Sequence, residues 1–181
     1  MRLKKVINLY GGPGTGKSTI AAGLFYKMKS NRHSVEYVSE YAKELTYEDR
    51  LNVLEEDQLY IFAKQHRKMF RLRNKVDYMI CDSPLLLSTI YASIMTEFYN
   101  EEAFKKLIVS TNNNYPSVDI FLLRNLEYEF ETKGRNQNEE ESTAIDIKVR
   151  KVISELVSPT YTEMLSDKNT VNLIYKGVFN E

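Results

Sequence analysis

Residues Gly11, Gly12, Pro13, Gly14, Thr15, Gly16, Lys17 and Ser18 fit the pattern G-x-x-x-x-G-K-Ser/Thr. They stand between a β-prone run, Lys4 to Tyr10, and a run with helical spacing, Thr19 to Phe25. A phosphate-binding loop needs that context. Its glycines let the backbone wrap closely enough for consecutive N–H groups to point inward, and the following helix adds its positive N-terminal end. The pattern predicts that residues 11–19, through Thr19, cradle the phosphates of a nucleoside triphosphate. Lys17 would reach the β- and γ-phosphates, and the Ser18 hydroxyl would ligate Mg²⁺. A glycine-rich turn matching by chance is the alternative, and the strand before and helix after weigh against it.

At 181 residues the chain suits one domain, 1–181, burying roughly 70% of its unfolded surface. Its 25 Lys and Arg balance 25 Asp and Glu, so no global field draws it to nucleic acid or membrane. A lone cysteine, Cys81, excludes an internal disulfide and fits a reducing compartment. Residues 1–5 lead directly into the first strand, and no apolar run approaches the ~20 residues that span a bilayer. The expectation is a soluble, cytoplasmic protein.

After the opening strand, loop and helix (Lys17 to about Lys29), His33 to Ser39 alternates as a strand does. One long helix is predicted from Tyr47 or Glu48 to Asn74, then a buried strand from Val76 to Cys81 ending at Asp82. Helices are expected over Leu85–Tyr99 and Glu101–Ser110, a strand over Val118–Leu123, and a helix opened by Asn138 with Glu141 three positions on, a capping-box pair. Thr170 to Tyr175 reads as a last strand. Alternation of strands and helices implies crossover connections, hence an α/β fold with a parallel sheet covered on both faces and nucleotide at the carboxyl ends of the strands.

Asp82 closes an apolar run, the position of a carboxylate that supports Mg²⁺ beside the loop; it could also cap a helix starting near Pro84. Glu40 follows the second strand at the rim where an acceptor would lie. It is a candidate base that orients an attacking hydroxyl, or else an ordinary solvated glutamate. Arg135, in the polar stretch Lys133 to Gln137, could swing from a lid over about residues 130–141 onto the transferring phosphoryl group, or pair with Glu139 to Glu141. Lys64, Arg67, Lys68, Arg71 and Lys75 share a helical face, solvated or shaped for phosphodiester. Gln58 or Gln65 could meet a base edge, and Tyr41, Tyr60, Phe62 or Tyr91 could stack on a base or belong to the core. Cys81 reads as a small buried residue.

The loop, Ser39-Glu40-Tyr41-Ala42-Lys43-Glu44, Cys81-Asp82-Ser83-Pro84 and Gly134-Arg135-Asn136-Gln137 together carry a resemblance. The chain resembles small P-loop kinases of the nucleoside and nucleotide kinase superfamily. It is most similar to the subgroup holding the ribosylnicotinamide kinase domain of the bacterial NAD-pathway regulator and related bacteriophage kinases, among them 5-hydroxymethyluracil DNA kinases. The resemblance implies a five-stranded parallel core with a mobile lid and ATP·Mg²⁺ as donor. It further implies that Lys17, Glu40, Asp82 and Arg135 are the catalytic set, with Ser18 and Asp82 at the metal. A tail loop, Tyr175 to Phe179, would border the donor base. Segments like Asp-Gly-Phe-Pro-Arg of adenylate kinases and Asp-Arg-Tyr of thymidylate kinases are lacking, which points to a hydroxyl acceptor: a nucleoside, a nucleotide or a modified base in DNA. A regulatory NTPase switch acting through a partner is the competing reading, and an ATPase motor subunit a third.

Overall fold

Strands that are apolar on both faces require cover on both sides, and the chain supplies it. The computed structural model describes residues 3–92, 100–127, 138–157 and 161–179. Its strands are β1 (Lys5–Tyr10), β2 (Val35–Val38), β3 (Tyr78–Cys81), β4 (Ser117–Leu123) and β5 (Thr162–Leu165). They form one sheet in the order β2-β3-β1-β4-β5, and every pairing is parallel. The helices are α1 (Lys17–Ser30), α2 (Tyr41–Tyr47), α3 (Leu51–Glu56), α4 (Gln58–Phe70), α5 (Ser88–Tyr91), α6 (Glu101–Asn112), α7 (Glu139–Leu156) and α8 (Thr170–Phe179).

Alternate residues of β1 face opposite layers. Val6 and Tyr10 pack with Phe62 and Met69 of α4, Phe104 and Ile108 of α6, and Val149 and Ile153 of α7. Ile7 and Leu9 pack with Ile20, Leu24 and Met28 of α1 and Ile174 and Tyr175 of α8. Each such fully buried Ile or Leu contributes about 1.5–3 kcal/mol. The chain leaves β1 for β2 and β3 on one side and later takes β4 and β5 on the other. A crevice therefore opens at the carboxyl end of β1, where the loop begins. Buried Asp119 pins this register: it accepts hydrogen bonds from Asn8 Nδ2 (2.8 Å), the Tyr10 hydroxyl (3.0 Å) and the Ser117 hydroxyl (2.6 Å). A carboxylate removed from water this thoroughly is tolerated because donors surround it.

Several sequence expectations need correction. The single helix expected from Tyr47 or Glu48 to Asn74 is two helices, α3 and α4, and starts only after α2 has ended at Tyr47. Asp49 takes a left-handed φ of 55° after α2, and Asp57 breaks the pattern again by accepting the Tyr60 N–H (2.9 Å) and capping α4. Thr170 to Tyr175 is not a strand but the start of α8. Asp167 Oδ1 accepts the N–H groups of Asn169 (2.7 Å) and Thr170 (3.0 Å), which turns the chain into a helix whose buried face includes Ile174 and Tyr175. The fifth strand is instead Thr162–Leu165, a short edge strand. The tail Tyr175 to Phe179 is helical and docks on His33 and Tyr78, beside the amino ends of β2 and β3 and away from the donor site. Within the expected helix Leu85–Tyr99, the described part is a 3₁₀ turn, Leu85–Leu87, followed by α5. The capping box at Asn138 and Glu141 is present, with both bonds at 2.9 Å. No helix among the described residues is long and apolar enough to cross a membrane.

Candidate active site

Between β1 and α1 the loop closes on itself. Gly11, Gly14 and Gly16 have positive φ. At Gly16 a side chain is excluded twice over, by its φ of +82° and by Ser166 Oγ, which lies 2.6 Å from where a Cβ would stand. Lys17 Nζ donates to the carbonyls of Gly11 and Gly12, both at 2.8 Å, so its ammonium is held over the loop. Thr15 is buried and donates its hydroxyl to Gly12 O (3.0 Å).

Asp82 emerges from β3 beside the loop, only 3% exposed. Its Oδ2 accepts two hydroxyls, Ser18 (3.0 Å) and Tyr37 (2.5 Å). Burial, and then this bond to Asp82, raise the Tyr37 pKa well above its ordinary value, so the phenol remains a donor. Asp82 Oδ1 is buried and has no hydrogen-bond partner among the described residues. A buried carboxylate oxygen left unsatisfied, next to a serine hydroxyl whose lone pairs stay available, is the donor chemistry of a hard divalent cation. Among the described residues no group of three His, Cys, Asp or Glu side chains could hold a metal without further ligands. The set therefore fits Mg²⁺, which keeps waters and phosphate oxygens as its remaining ligands. The bonds of Asp82 run to Ser18 and Tyr37, and none caps the Pro84 turn.

Across the crevice Glu40 sits at the amino end of α2 without capping it. Its neighbours are tied to α4. Lys68 Nζ donates to the carbonyl and hydroxyl of Ser39 (3.0 Å each) and pairs with Glu44, and Gln65 Oε1 accepts the Tyr41 N–H (2.9 Å). Burial, and then the nearby Glu40 charge, push the Tyr91 hydroxyl up to about 12. Glu40, Tyr91 and Gln58 line the same cavity of about 840 Å³ as Lys17, Ser18 and Asp82. Gly11, Pro13, Gly14, Gly16 and Thr19 also line it, whereas Gly12 and Thr15 face elsewhere. Arg135 and most of the lid segment fall in residues 128–137, outside the described residues. The chain resumes at Asn138, and Glu141, Ile145 and Val149 of α7 form part of the cavity wall.

Several sequence readings are resolved here. Gln65, Tyr41 and Tyr60 are structural: the two tyrosine hydroxyls bond each other (3.0 Å) and Lys64 lies over both rings. Phe62 is core, and Tyr91 is the one aromatic of the four that lines the cavity. The Cys81 thiol is buried, pushed up to about 12 by that burial and then by Asp82, and so is no nucleophile. Tyr37, Arg124, Asp146 and Ser166 carry no motif signal. They reach the loop only through the fold, although Tyr37 did fall on the predicted second strand.

Comparison with known proteins agrees with this fold. The sequence model of the family described as AAA domain matches residues 6–164. No curated protein matches the chain. Among solved structures, deoxyadenosine kinase from M. mycoides, determined with products dCMP and a flexible dCDP bound, aligns over 97% of this chain and 100% of its own, with TM-score 0.59 and 18% identity. The NadR protein in complex with NAD and AMP-PNP aligns over 96% of this chain with TM-score 0.62 and 14% identity. This chain spans about half, 49%, of that protein. At such identities the likeness establishes the fold, that of the P-loop kinases.

Proposed function

This chain belongs to the AAA domain family, and on that footing we propose that it is an ATP-dependent phosphotransferase acting on a hydroxyl of an uncharged nucleoside. One observation carries the proposal. The phosphate loop with Lys17, the unpartnered Asp82 oxygen and the half-buried Glu40 border one cavity, whose ~840 Å³ lies within the usual range for a small-molecule site. A nucleotide switch needs no such chamber opposite its triphosphate.

In this reading Lys17 holds the β- and γ-phosphates and stabilises the charge that spreads over the transferring oxygens. Ser18 and Asp82 would hold Mg²⁺, which neutralises phosphate charge when bound. Tyr37 occupies Asp82 Oδ2, leaving Oδ1 as the oxygen that would meet the metal. Glu40 orients the acceptor hydroxyl and takes its proton. Arg135 keeps its assignment as the lid arginine, supported by the return of the chain at the cavity wall. Transfer is then a matter of alignment and fixed charge.

Charge selects among acceptors. Beyond the loop, the described lining offers one cation, Lys43, against the carboxylates of Glu40 and Glu55. A nucleoside monophosphate would bring a dianion to that wall, whereas a nucleoside brings only hydroxyls and a base. Gln58, buried and fixed through Nε2 to Leu54 O (2.5 Å), is the described amide in position to meet the base. A base within DNA is less well served. The exposed Arg67, Arg71 and Lys75 lie along and beyond the far half of α4, which begins at the cavity and runs 13 residues, about 20 Å, away from it.

ADP formation measured in a coupled assay tests this. Uncharged nucleosides should stimulate it, while nucleoside monophosphates and hydroxymethylated DNA should not. Stimulation by a monophosphate alone, or by the DNA alone, would overturn the choice of acceptor.

A further inference from the structure

The outer side of the phosphate loop is gripped by a pair of residues outside the motif. On α7, Asp146 Oδ1 accepts the Gly12 N–H at 2.5 Å, and its Oδ2 accepts Nε (3.1 Å) and Nη2 (2.9 Å) of Arg124, which follows β4. Arg124 Nη2 also donates to Pro13 O at 2.8 Å. Both side chains are largely out of solvent, 12% and 17% exposed, so the pair is not one of the weak surface ion pairs. The approach of α7 requires residue 12 to lack a side chain: a Cβ there would lie 2.6 Å from both Asp146 Oδ1 and Ser142 O. The register of α7 is fixed by Ser142, Val149 and Ile153, all within 1% of full burial, and by the Arg150–Glu163 fork to β5 (2.8 and 2.6 Å).

The clasp meets the motif lysine through one planar unit. In a trans peptide the carbonyl and the N–H point in opposite directions. The Gly11 carbonyl points inward and receives Lys17 Nζ, so the Gly12 N–H of the same peptide points outward, where Asp146 receives it. Both ends of that peptide are thus fixed by charged groups, one a lysine of the loop and the other a carboxylate 134 residues away. We infer that Asp146 and Arg124 are positioning residues that act through the Gly11–Gly12 peptide to hold the Lys17 ammonium where a triphosphate meets it. The inference rests on the contact between Lys17 and the triphosphate proposed above.

Its test is a binding cycle on the full chain with a fluorescent, non-transferable ATP analogue and Mg²⁺. Asp146→Ala should weaken binding about tenfold, the weight of one hydrogen bond to a charged group. Asp146→Asn should weaken it less, because its amide oxygen still accepts from Gly12. Placed on a Lys17→Met background, neither change should weaken binding further. Equal losses with and without Lys17, or no loss in either Asp146 variant, would overturn the inference, since a merely structural role would be indifferent to Lys17. Thermal melts identify folded variants; should Asp146→Ala not fold, Asp146→Asn and Arg124→Met complete the same cycle, with the same outcomes supporting or overturning the inference. The readout needs no acceptor, so a chain that shows this coupling yet transfers no phosphoryl group refutes the proposed reaction alone.

Discussion

Lys17→Ala is expected to lower kcat/KM for ATP by roughly 10³-fold or more while the protein stays folded. Removing a single preorganised donor from a charge-developing site costs about 10²–10³ in rate. Here the donor carries a full charge and also anchors the loop through Gly11 O and Gly12 O, so the loss should fall at the upper end or beyond. Folding should change little. The side chain is only partly buried and lines the cavity, so water can take its place. Steady-state kinetics beside a thermal melt check both halves. Turnover near that of the wild type in a folded variant would remove Lys17, and with it the donor site, from the mechanism.

Glu40→Gln is expected to depress kcat by roughly 10²–10⁴-fold, the range for loss of a positioned general base, with the KM for ATP nearly unchanged. The split follows from place. Glu40 lies across the crevice from the loop, at the amino end of α2, and lines the cavity on the side proposed for the acceptor. Glutamine keeps the shape and can still orient a hydroxyl, but it cannot take the proton. The effect therefore belongs to the chemical step. Ser39 and Tyr41 are fixed to α4 by Lys68 and Gln65, so the substitution leaves the neighbouring backbone anchored. A fall in ATP affinity with kcat preserved would move Glu40 to the donor side and contradict its role.

What could be read from the chain divides along the range of the interactions. The loop, Asp82 and Glu40 were legible because each is written locally: a contiguous motif, an apolar run ending in Asp, and a carboxylate just past a strand. The capping box at Asn138 and Glu141 was legible for the same reason. The clasp was not, because Gly12 and Asp146 are 134 residues apart and only the packing of α7 brings them together. Tyr37 was likewise hidden, 45 residues from the Asp82 it fixes. The errors have physical causes too. Thr-Val-Asn-Leu-Ile-Tyr alternates and is rich in β-formers, yet Asp167 hydrogen-bonds the two N–H groups that start a helix there, and this local bond outweighs strand propensity. The long helix was split by Asp57, whose side chain offered a cap where periodicity offered continuation.

The most direct measurement follows the terminal phosphorus of γ-radiolabelled ATP incubated with the protein, Mg²⁺ and a nucleoside panel. The expected result is label attached to a nucleoside hydroxyl, abolished by Lys17→Ala and strongly slowed by Glu40→Gln. Label appearing only as inorganic phosphate, whatever nucleoside is present, would contradict the account and favour a slow nucleotide switch.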